Sequence, residues 1–225
     1  MEYGTRSEFL DRLAEAVELA STPYPLRVAV DGPPATGKTM LADELALLLC
    51  TRGREVIRAS IDDFLRPRAE RYRRGVYSPE GCYYDSFDYG TLDRALLDPL
   101  GPDGDRKYQE VTYDRRTDTV LFEPVAAAAP DAVLLIDGVF LLRPELIDRW
   151  DLSIFVYAEF EQTLDRARVR DQERLGSTAE VERFFRRRYL PAQKLYFAEA
   201  SPTDHADIVV HNDEPQRPAW TVRPS

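Results

Sequence analysis

The sequence predicts an α/β fold in which helices cover both faces of a doubly wound, mainly parallel sheet. Two observations predict it. Short apolar segments rich in β-branched residues alternate with segments of helical periodicity, which is typical of parallel strands joined by helices. The chain has 225 residues, of which 44% are hydrophobic, and this is enough for a substantial core. We therefore expect residues 1–225 to form one domain.

The elements follow in chain order from periodicity, capping residues and turn residues. The first helix is predicted from Thr5 to Ala20, because apolar residues recur at helical spacing and Thr5 with Glu8 forms a capping box. The predicted strands cover residues 26–30, 55–60, 133–137, 152–157 and 207–210. The further predicted helices cover residues 38–51, 91–97, 143–150, 160–174 and 179–200, the last bent at Pro191.

Two segments depart from this alternation. Residues 98–124 contain a Gly-Pro-Asp-Gly turn and two short alternating runs, 108–113 and 119–122. This pattern predicts a β-hairpin inserted at the edge of the sheet. Residues 212–225 are rich in proline, and we expect them to form an irregular tail.

The composition argues against several classes of protein. A formal net charge of −10 and a pI near 4.9 argue against a nucleic-acid partner. No apolar run approaches the roughly 18 residues that a membrane span needs, and the acidic amino-terminal segment does not resemble a secretory signal. The two cysteines, Cys50 and Cys82, cannot form a disulfide framework. We expect a cytoplasmic protein that acts on a small molecule.

A phosphate-binding loop is predicted between the first strand and the following helix. The segment GPPATGKT fits the pattern G-x-x-x-x-G-K-[ST] at every fixed position, and a chance match occurs about one time in a thousand. Glycines let successive backbone N–H groups point at phosphate oxygens, and the amino end of the helix adds its partial positive charge. The predicted nucleotide-binding residues are Gly32, Pro33, Pro34, Ala35, Thr36, Gly37, Lys38 and Thr39.

Two side chains of this loop have separate predicted tasks. Lys38 is one of only three lysines among the 30 basic residues, and it would reach the β- and γ-phosphates of the nucleotide. Thr39 would hold Mg²⁺ together with Asp137, which ends an apolar strand. The alternative role for Asp137 is that of an ordinary turn residue before Gly138.

A second acidic position follows the strand at residues 55–60. Asp62 lies at the edge of the sheet where ligands bind in this fold class, so its carboxylate can accept the proton of an attacking hydroxyl. The alternative is that Asp62 or Asp63 only caps a helix. We expect Asp62 to be the catalytic base.

Arginines in the predicted helix 160–174 are candidates for a phosphate clamp. Arg166, Arg170 and Arg174 are four residues apart and form one stripe on a helix. Arg166 and Arg170 would stabilise the transition state, and Arg174 would bind the nucleotide, in a lid over residues 166–180. The alternative is a solvated face paired with neighbouring acids. The later run 186–188 is predicted to be solvated surface.

Missing motifs narrow the class of nucleotide-binding protein. The guanine-reading Asn/Thr-Lys-x-Asp element of switch GTPases is absent, because the only asparagine is Asn212. The H-R-D catalytic loop of protein kinases is also absent, since neither His205 nor His211 lies in that setting. These absences favour a kinase that acts on small molecules.

The motifs resemble those of the uridine kinase family, in the group that includes phosphoribulokinase and pantothenate kinase. The resemblance spans residues 26–210 and implies a P-loop NTPase fold with a helical lid, the cofactors ATP and Mg²⁺, and Asp62 as general base. The segment Asp85-Ser86-Phe87-Asp88 is similar to the family's D-A-F-D, whose first Asp binds ribose hydroxyls. Tyr113-Asp114 resembles the family's Tyr-Asp, where the Tyr helps to form the base pocket. Arg170-Asp171 followed by Gly176 resembles the lid that covers ATP.

The chain also differs from this family. No histidine follows Tyr113, where the family reads a pyrimidine, and Asp137 replaces the usual Glu. We therefore expect an ATP-dependent kinase of a nucleoside or a similar hydroxylated acceptor, with Asp62, Asp85 and Tyr113 at the acceptor. The alternatives are a kinase of a non-nucleoside alcohol and a nucleotide-binding regulatory module. Without the resemblance, Tyr83, Tyr84, Phe87 and Tyr89 would be read as a core cluster.

Overall fold

The computed structural model describes residues 1–121 and 124–223 and has a mixed α/β fold. The strands are β1 (Glu2–Tyr3), β2 (Leu26–Asp31), β3 (Val56–Ser60), β4 (Lys107–Tyr108), β5 (Tyr113–Asp114), β6 (Thr119–Val120), β7 (Ala126–Ala127), β8 (Val133–Gly138), β9 (Leu152–Tyr157), β10 (Ile208–His211) and β11 (Ala219–Val222). The helices are α1 (Arg6–Leu19), α2 (Lys38–Thr51), α3 (Arg68–Arg71), α4 (Pro79–Tyr84), α5 (Tyr89–Leu92), α6 (Phe160–Arg170), α7 (Gln172–Leu175), α8 (Thr178–Phe184), α9 (Leu190–Ala200) and α10 (Pro202–His205).

The central sheet has seven strands in the order β1-β11-β10-β9-β2-β8-β3. The five strands from β10 to β3 are parallel, which confirms the predicted fold class. In the register of the sheet, Asp137 of β8 lies between Val30 of β2 and Ser60 of β3. The chain therefore leaves three neighbouring strands at the same edge, and this edge carries the predicted site.

Alternate residues of the central strands pack into two different cores. Val28 and Val30 of β2 face the core beneath α1 and α2, whereas Ala29 faces the core beneath α4 and α9. A third, smaller cluster joins Ala35 of the phosphate loop to Leu164 and Val181 of the lid helices. Both faces of the sheet are thus covered, as in a doubly wound fold.

The carboxyl-terminal prediction was wrong in part. Residues 219–222 form β11, which pairs antiparallel with β10 and in turn pairs with β1. The ring of Trp220 packs on Phe9 at 5.0 Å between centroids, and this contact with α1 holds the strand although prolines flank it. The end of the predicted tail, residues 224–225, lies outside the described residues.

The predicted hairpin exists but does not join the central sheet. Its arms pair in two short ladders, Lys107–Tyr108 with Ala126–Ala127 and Tyr113–Asp114 with Thr119–Val120. The main-chain N–H of Thr112 donates to the carbonyl of Asp63 at 3.1 Å, so the hairpin rests against the turn that follows β3. Phe122, predicted in one arm, lies outside the described residues.

Three helix predictions need correction. The segment 143–150 contains only a 3-10 turn, Ile147–Arg149, because the buried Arg143 side chain donates to the Tyr83 carbonyl at 3.1 Å and fixes a loop. The helix predicted from residue 160 to 174 ends at Arg170, where the buried Asp171 separates α6 from α7.

The helix predicted from residue 179 to 200 is interrupted before its proline rather than at it. Pro191 lies in the first turn of α9, where the missing N–H costs little, and a π turn at Phe185–Tyr189 precedes it. Within the described ranges, no helix has both the length and the apolar character that crossing a bilayer requires.

Candidate active site

Glycine is required at two positions of the phosphate loop. Gly32 has φ 150°, and a Cβ there would lie 2.2 Å from the carbonyl oxygen of Val156. Gly37 has φ 95°, and a Cβ there would lie 2.6 Å from Nδ2 of Asn212. Side chains would therefore collide with the neighbouring strand end and with Asn212, which explains the glycines physically.

The phosphate loop leads directly into α2, and no side chain caps the amino terminus of this helix. Gly37 is the capping residue and supplies no side-chain acceptor. The first amides of a helix have no acceptor within the helix, so their N–H groups remain available to phosphate oxygens. Nζ of Lys38 donates to the carbonyl of Pro33 at 3.0 Å across the loop. Burial lowers the pKa of Lys38, while the Asp137 carboxylate acts in the opposite direction.

Thr39 and Asp137 meet directly. Oγ1 of Thr39 donates to Oδ2 of Asp137 at 2.6 Å, and Nη2 of Arg58 lies 2.6 Å from Oδ1 of the same carboxylate. A hydroxyl and a carboxylate are hard oxygen ligands, so this pair fits Mg²⁺, which otherwise keeps water and phosphate oxygens. The described residues contain no cluster of three or more His, Cys, Asp or Glu that would suggest another metal.

A fully buried acid, Asp31, supports the start of the loop. Its carboxylate accepts hydrogen bonds from the N–H of Gly32 at 2.7 Å, from the N–H of Leu142 at 3.3 Å and from the hydroxyl of Tyr196. Burial raises the pKa of Asp31, and the hydrogen bonds from Tyr196 and Gly32 act to lower it. Because Tyr196 lies on α9, this acid links the phosphate loop to a helix distant in sequence.

Asp62 and Asp63 have different environments in the turn after β3. Oδ2 of Asp63 accepts the N–H of Ser60 at 3.2 Å and closes a capping box. Asp62 instead has a half-exposed side chain, 2.7 Å from Nη1 of Arg115 on the hairpin. The structure thus assigns the capping role to Asp63 and leaves the Asp62 carboxylate open to solvent.

The three predicted lid arginines do not form one stripe. Nη2 of Arg166 donates to the carbonyls of Asn212 and Asp213, each at 2.8 Å, and ties α6 to the end of β10. Arg170 makes a two-pronged ion pair with Asp171, and Arg174, on α7, lies 3.5 Å from the same carboxylate. Asp171 is itself a neighbouring acid, so Arg170 and Arg174 show the ion pairing that the sequence offered as the alternative to a phosphate clamp. The charge of Arg170 also acts to lower the pKa of Lys38.

Asp85, at the end of α4, is buried, and both of its oxygens contact arginines. Oδ1 accepts from Nη2 of Arg73 at 2.8 Å, and Oδ2 accepts from Nε of Arg74 at 2.7 Å. Backbone hydrogen bonds place this region beside Asp62, because Arg66 N–H donates to the Ser86 carbonyl at 2.9 Å. The structure thus brings Asp85 and Asp62 onto adjoining segments.

Tyr113 is buried in the hairpin, and its polar end already has a protein partner. Its hydroxyl donates to Asp118, and the Arg71 guanidinium lies 5.8 Å from its ring centroid. Tyr113 is thus linked to the same arginine-rich segment that pairs with Asp85.

Several solved structures have the same fold as this chain. A protein from Bacillus stearothermophilus, assigned as a possible uridine kinase, superposes with a TM-score of 0.71 at 25% identity, over 90% of this chain and 97% of that chain. A protein from a Silicibacter species, assigned as a fructose transport system kinase, gives a TM-score of 0.69 at 24% identity, over 85% and 95%. The chain has the fold of the uridine kinase-like P-loop kinases.

This kinase fold is also shared at lower identity. D-glycerate 3-kinase from Cryptococcus neoformans superposes with a TM-score of 0.62 at 14% identity, over 90% of this chain and 94% of that chain. No protein-family model and no curated protein matches the sequence. The structural matches confirm the predicted resemblance to uridine kinase-like P-loop kinases. The descriptions of the matched proteins name acceptors of different chemistry.

The end of the predicted lid and the helical segment after it contact Tyr77. The ring of Tyr77 lies 5.2 Å from Phe184 and 5.0 Å from the guanidinium of Arg187, and its hydroxyl donates to Glu180. Arg188, predicted to be solvated, is buried instead, because it donates to the carbonyls of Val76 and Ser78 at 3.1 Å. Arg186 and Arg187 are exposed, as predicted.

The aromatic cluster at residues 83–89 belongs mainly to the core. Tyr83 and Phe87 are buried, and Arg143 lies between the rings of Tyr83 and Tyr89, 4.6 Å and 4.7 Å from their centroids. Tyr84 is half-exposed, and its hydroxyl donates to Glu199. The reading of this cluster as packing therefore holds for most of its members.

The pKa of Asp63 provides a test that involves no ligand. Burial raises this pKa to about 6, although the hydrogen bond from Ser60 acts to lower it. The folded state therefore holds this proton more tightly than the unfolded state. The resulting stabilisation is complete below the unfolded value, 3.8, and is lost as the pH rises to about 6.

We expect Asp63→Asn to remove this part of the pH dependence, since its amide oxygen can still accept the Ser60 N–H. Chemical denaturation across this pH range, in metal-free buffer, measures the free energy of unfolding of both proteins. Asp204→Asn, at an exposed position, is the control. Parallel pH profiles for wild type and Asp63→Asn would contradict the assignment.

Proposed function

We propose that this protein is an ATP-dependent kinase that transfers the γ-phosphate to a hydroxyl of a small molecule. The observation that carries the proposal is the meeting of three features at one sheet edge. These are the phosphate loop after β2, the Thr39–Asp137 pair beside it and the open Asp62 carboxylate after β3. A protein that only binds nucleotide needs the first two features but has no use for a base.

The residues of the nucleotide side have complementary tasks. Backbone N–H groups of residues 35–39 and Nζ of Lys38 bind phosphate oxygens, and this requires Nζ to leave the carbonyl of Pro33. Mg²⁺ held by Thr39 and Asp137 would neutralise phosphate charge. Arg58 keeps the Asp137 carboxylate aimed at this position. We propose that Arg166, Arg170 and Arg174 add positive charge around the phosphates when the lid closes.

In the proposed reaction, one proton passes from the acceptor hydroxyl to the protein. The acceptor oxygen forms a bond to the γ-phosphorus, the bond between this phosphorus and the bridging oxygen of ADP breaks, and Asp62 takes the hydroxyl proton. Before this step the acceptor must displace Arg115 from Asp62. Both members of that pair are about half exposed, so its net stabilisation is small, about 0–1 kcal/mol. We propose that Asp85 accepts further hydroxyls of the acceptor and that Tyr113 forms part of its pocket.

A panel of acceptors in a coupled ADP-release assay tests this function. The panel contains nucleosides, free sugars, sugar phosphates, hydroxy acids and pantothenate. We expect ADP release to depend on Mg²⁺ and on one class of acceptor, and we expect weak discrimination among pyrimidine nucleosides because no histidine follows Tyr113. Nucleotide binding without transfer to any acceptor would support the regulatory module instead.

Asp85→Ala should impair transfer to any true acceptor. Hydrogen bonds to a charged group are worth about 1.5–3 kcal/mol, so we expect the acceptor kcat/KM to fall about tenfold to a hundredfold, mainly through KM. The KM for ATP should change little. Asp204→Ala is the matched control at an exposed position. A normal acceptor KM in Asp85→Ala would exclude this role.

A further inference from the structure

The two arginines on Asp85 give the acceptor side an excess of positive charge. The Asp85 side chain is only 5% exposed, whereas those of Arg73 and Arg74 are 60% and 47% exposed. One carboxylate therefore neutralises one of two guanidinium groups that remain open to solvent. Burial acts to raise the pKa of Asp85, but the hydrogen bonds and charges of Arg73 and Arg74 outweigh it and lower this pKa. The acid is therefore ionised, and the group of three carries a net positive charge.

The surrounding sequence adds to this charge. Residues 66–74 carry five arginines and one glutamate, in a chain whose net charge is −10. Arg115 pairs with Asp62, and Arg116, which is 90% exposed, lies 4.0 Å from Asp114. A local concentration of arginine against the overall charge is a feature that anion binding explains and that solubility does not require.

The side chains of Arg73 and Arg74 keep N–H donors that no described residue uses. Among the described residues, each of these two side chains makes one hydrogen bond, and both bonds go to Asp85. A guanidinium has further N–H donors, arranged in a fork that matches carboxylate and phosphate oxygens. Asp85 is also close to the catalytic region. The N–H of Asp88 donates to the carbonyl of Phe64, two residues after Asp62, at 2.8 Å.

We propose that the acceptor is an anionic hydroxyl compound, a phosphorylated or carboxylated polyol, whose anionic group is bound by Arg73 and Arg74. This inference rests on the proposed kinase function and names its substrate class. The unused lone pairs of Asp85 remain available to a hydroxyl of the same molecule, so one group of residues orients both ends of the acceptor. Phosphate goes to a hydroxyl near Asp62, and the anionic group takes no part in bond formation.

The competing explanation is that the arginines only neutralise a buried acid. One guanidinium would be sufficient for that purpose, and a neutralising role makes no distinction between charged and neutral acceptors. Acceptors matched in carbon skeleton separate the two explanations. We would compare glycerol with glycerate and glycerol 3-phosphate, and ribose with ribonate and ribose 5-phosphate, which also distinguishes carboxylate from phosphate as the bound anion.

The first readout is kcat/KM in the ADP-release assay. We expect the preferred charged acceptor to exceed its neutral partner by about tenfold or more, and we expect Arg73→Gln and Arg74→Gln each to reduce this ratio about tenfold. Each single variant leaves one arginine on Asp85, so the buried acid keeps a partner. Arg73→Lys should restore part of the ratio, because it keeps the charge but not the fork. Arg12→Gln, an exposed arginine on α1, is the control.

The second readout is binding without transfer. With a non-hydrolysable ATP analogue bound in the phosphate loop, calorimetry measures the affinity of wild type and Arg73→Gln for the charged and neutral probes. Charge-selective binding that Arg73→Gln weakens, with no transfer to any probe, would support the anion site and count against the kinase function.

Efficient transfer to neutral acceptors, with no advantage for charged ones, would keep the kinase function and overturn the anionic acceptor. If Arg73→Gln lowers kcat/KM equally for charged and neutral acceptors, Arg73 has a merely structural role, and the proposal of an anionic acceptor is overturned as well. The anionic acceptor is also overturned if neither ADP release nor calorimetric binding distinguishes charged from neutral compounds in the glycerol and ribose series.

Discussion

Lys38→Ala is expected to slow phosphate transfer by about a hundredfold or more, which corresponds to roughly 3 kcal/mol of lost transition-state stabilisation. The side chain is buried in the loop, and its only hydrogen-bond partner among the described residues is the carbonyl of Pro33. A neutral carbonyl is a weaker hydrogen-bond partner for a buried ammonium group than a charged phosphate oxygen, so bound phosphate would stabilise Lys38 better. The rate of ADP release at saturating acceptor measures the effect.

Lys194→Ala is the matched control, because Lys194 is exposed on α9 and far from the loop in sequence. Thermal unfolding of both variants shows whether the loss in rate comes from the fold. Near-normal turnover of Lys38→Ala would exclude the phosphate-loop assignment.

Asp62→Asn is expected to reduce transfer about a hundredfold or more while nucleotide binding is retained. The amide keeps the shape of the side chain and can still accept a hydrogen bond, but it cannot take a proton at neutral pH. The half-exposed position of Asp62 makes a loss of stability small. Single-turnover rates and the affinity for ADP, measured on the same protein, separate chemistry from binding.

The neighbouring Asp63→Asn variant is a direct control, because Asp63 caps the same turn and its carboxylate already accepts the N–H of Ser60. We expect this variant to transfer phosphate at nearly the normal rate. A collapse of nucleotide affinity in Asp62→Asn would identify it as a metal or structural residue. A large loss of transfer in Asp63→Asn, with none in Asp62→Asn, would show that Asp63 and not Asp62 is the base.

Features that depend on neighbouring residues were predictable from the sequence. The phosphate loop, α2 and the capping box of Thr5 with Glu8 are local patterns, and all three are present in the structure. The strand that ends at Asp137 was predictable for the same reason, since an apolar run before an acid marks the edge of a parallel sheet. The roles of Asp62 and Asp85 stay predictions, although both lie at the expected ends of their elements.

Features that depend on distant contacts were not predictable. Arg58 contacts Asp137 from a neighbouring strand, Asn212 donates to the carbonyl of Thr36 at 2.7 Å, and Tyr196 reaches Asp31 from another helix. No periodicity marks such residues, although the only asparagine in the chain, placed directly after a strand, was a signal that could have been followed. The strand β11 was missed because its tertiary contact with Phe9 outweighs the turn residues around it.

The two edge strands of the central sheet affect whether a strand of a second molecule can pair with it. Edge strands expose unpaired N–H and C=O groups that can recruit a strand from a second molecule. At one edge, β1 has only two residues, one of them Glu2. At the other edge, β3 carries Arg58, whose charge is held in place by Asp43 and Asp137. Charge and short length disfavour strand addition, so the arginine that pairs with Asp137 also makes this edge less suited to pairing with a strand of a second molecule.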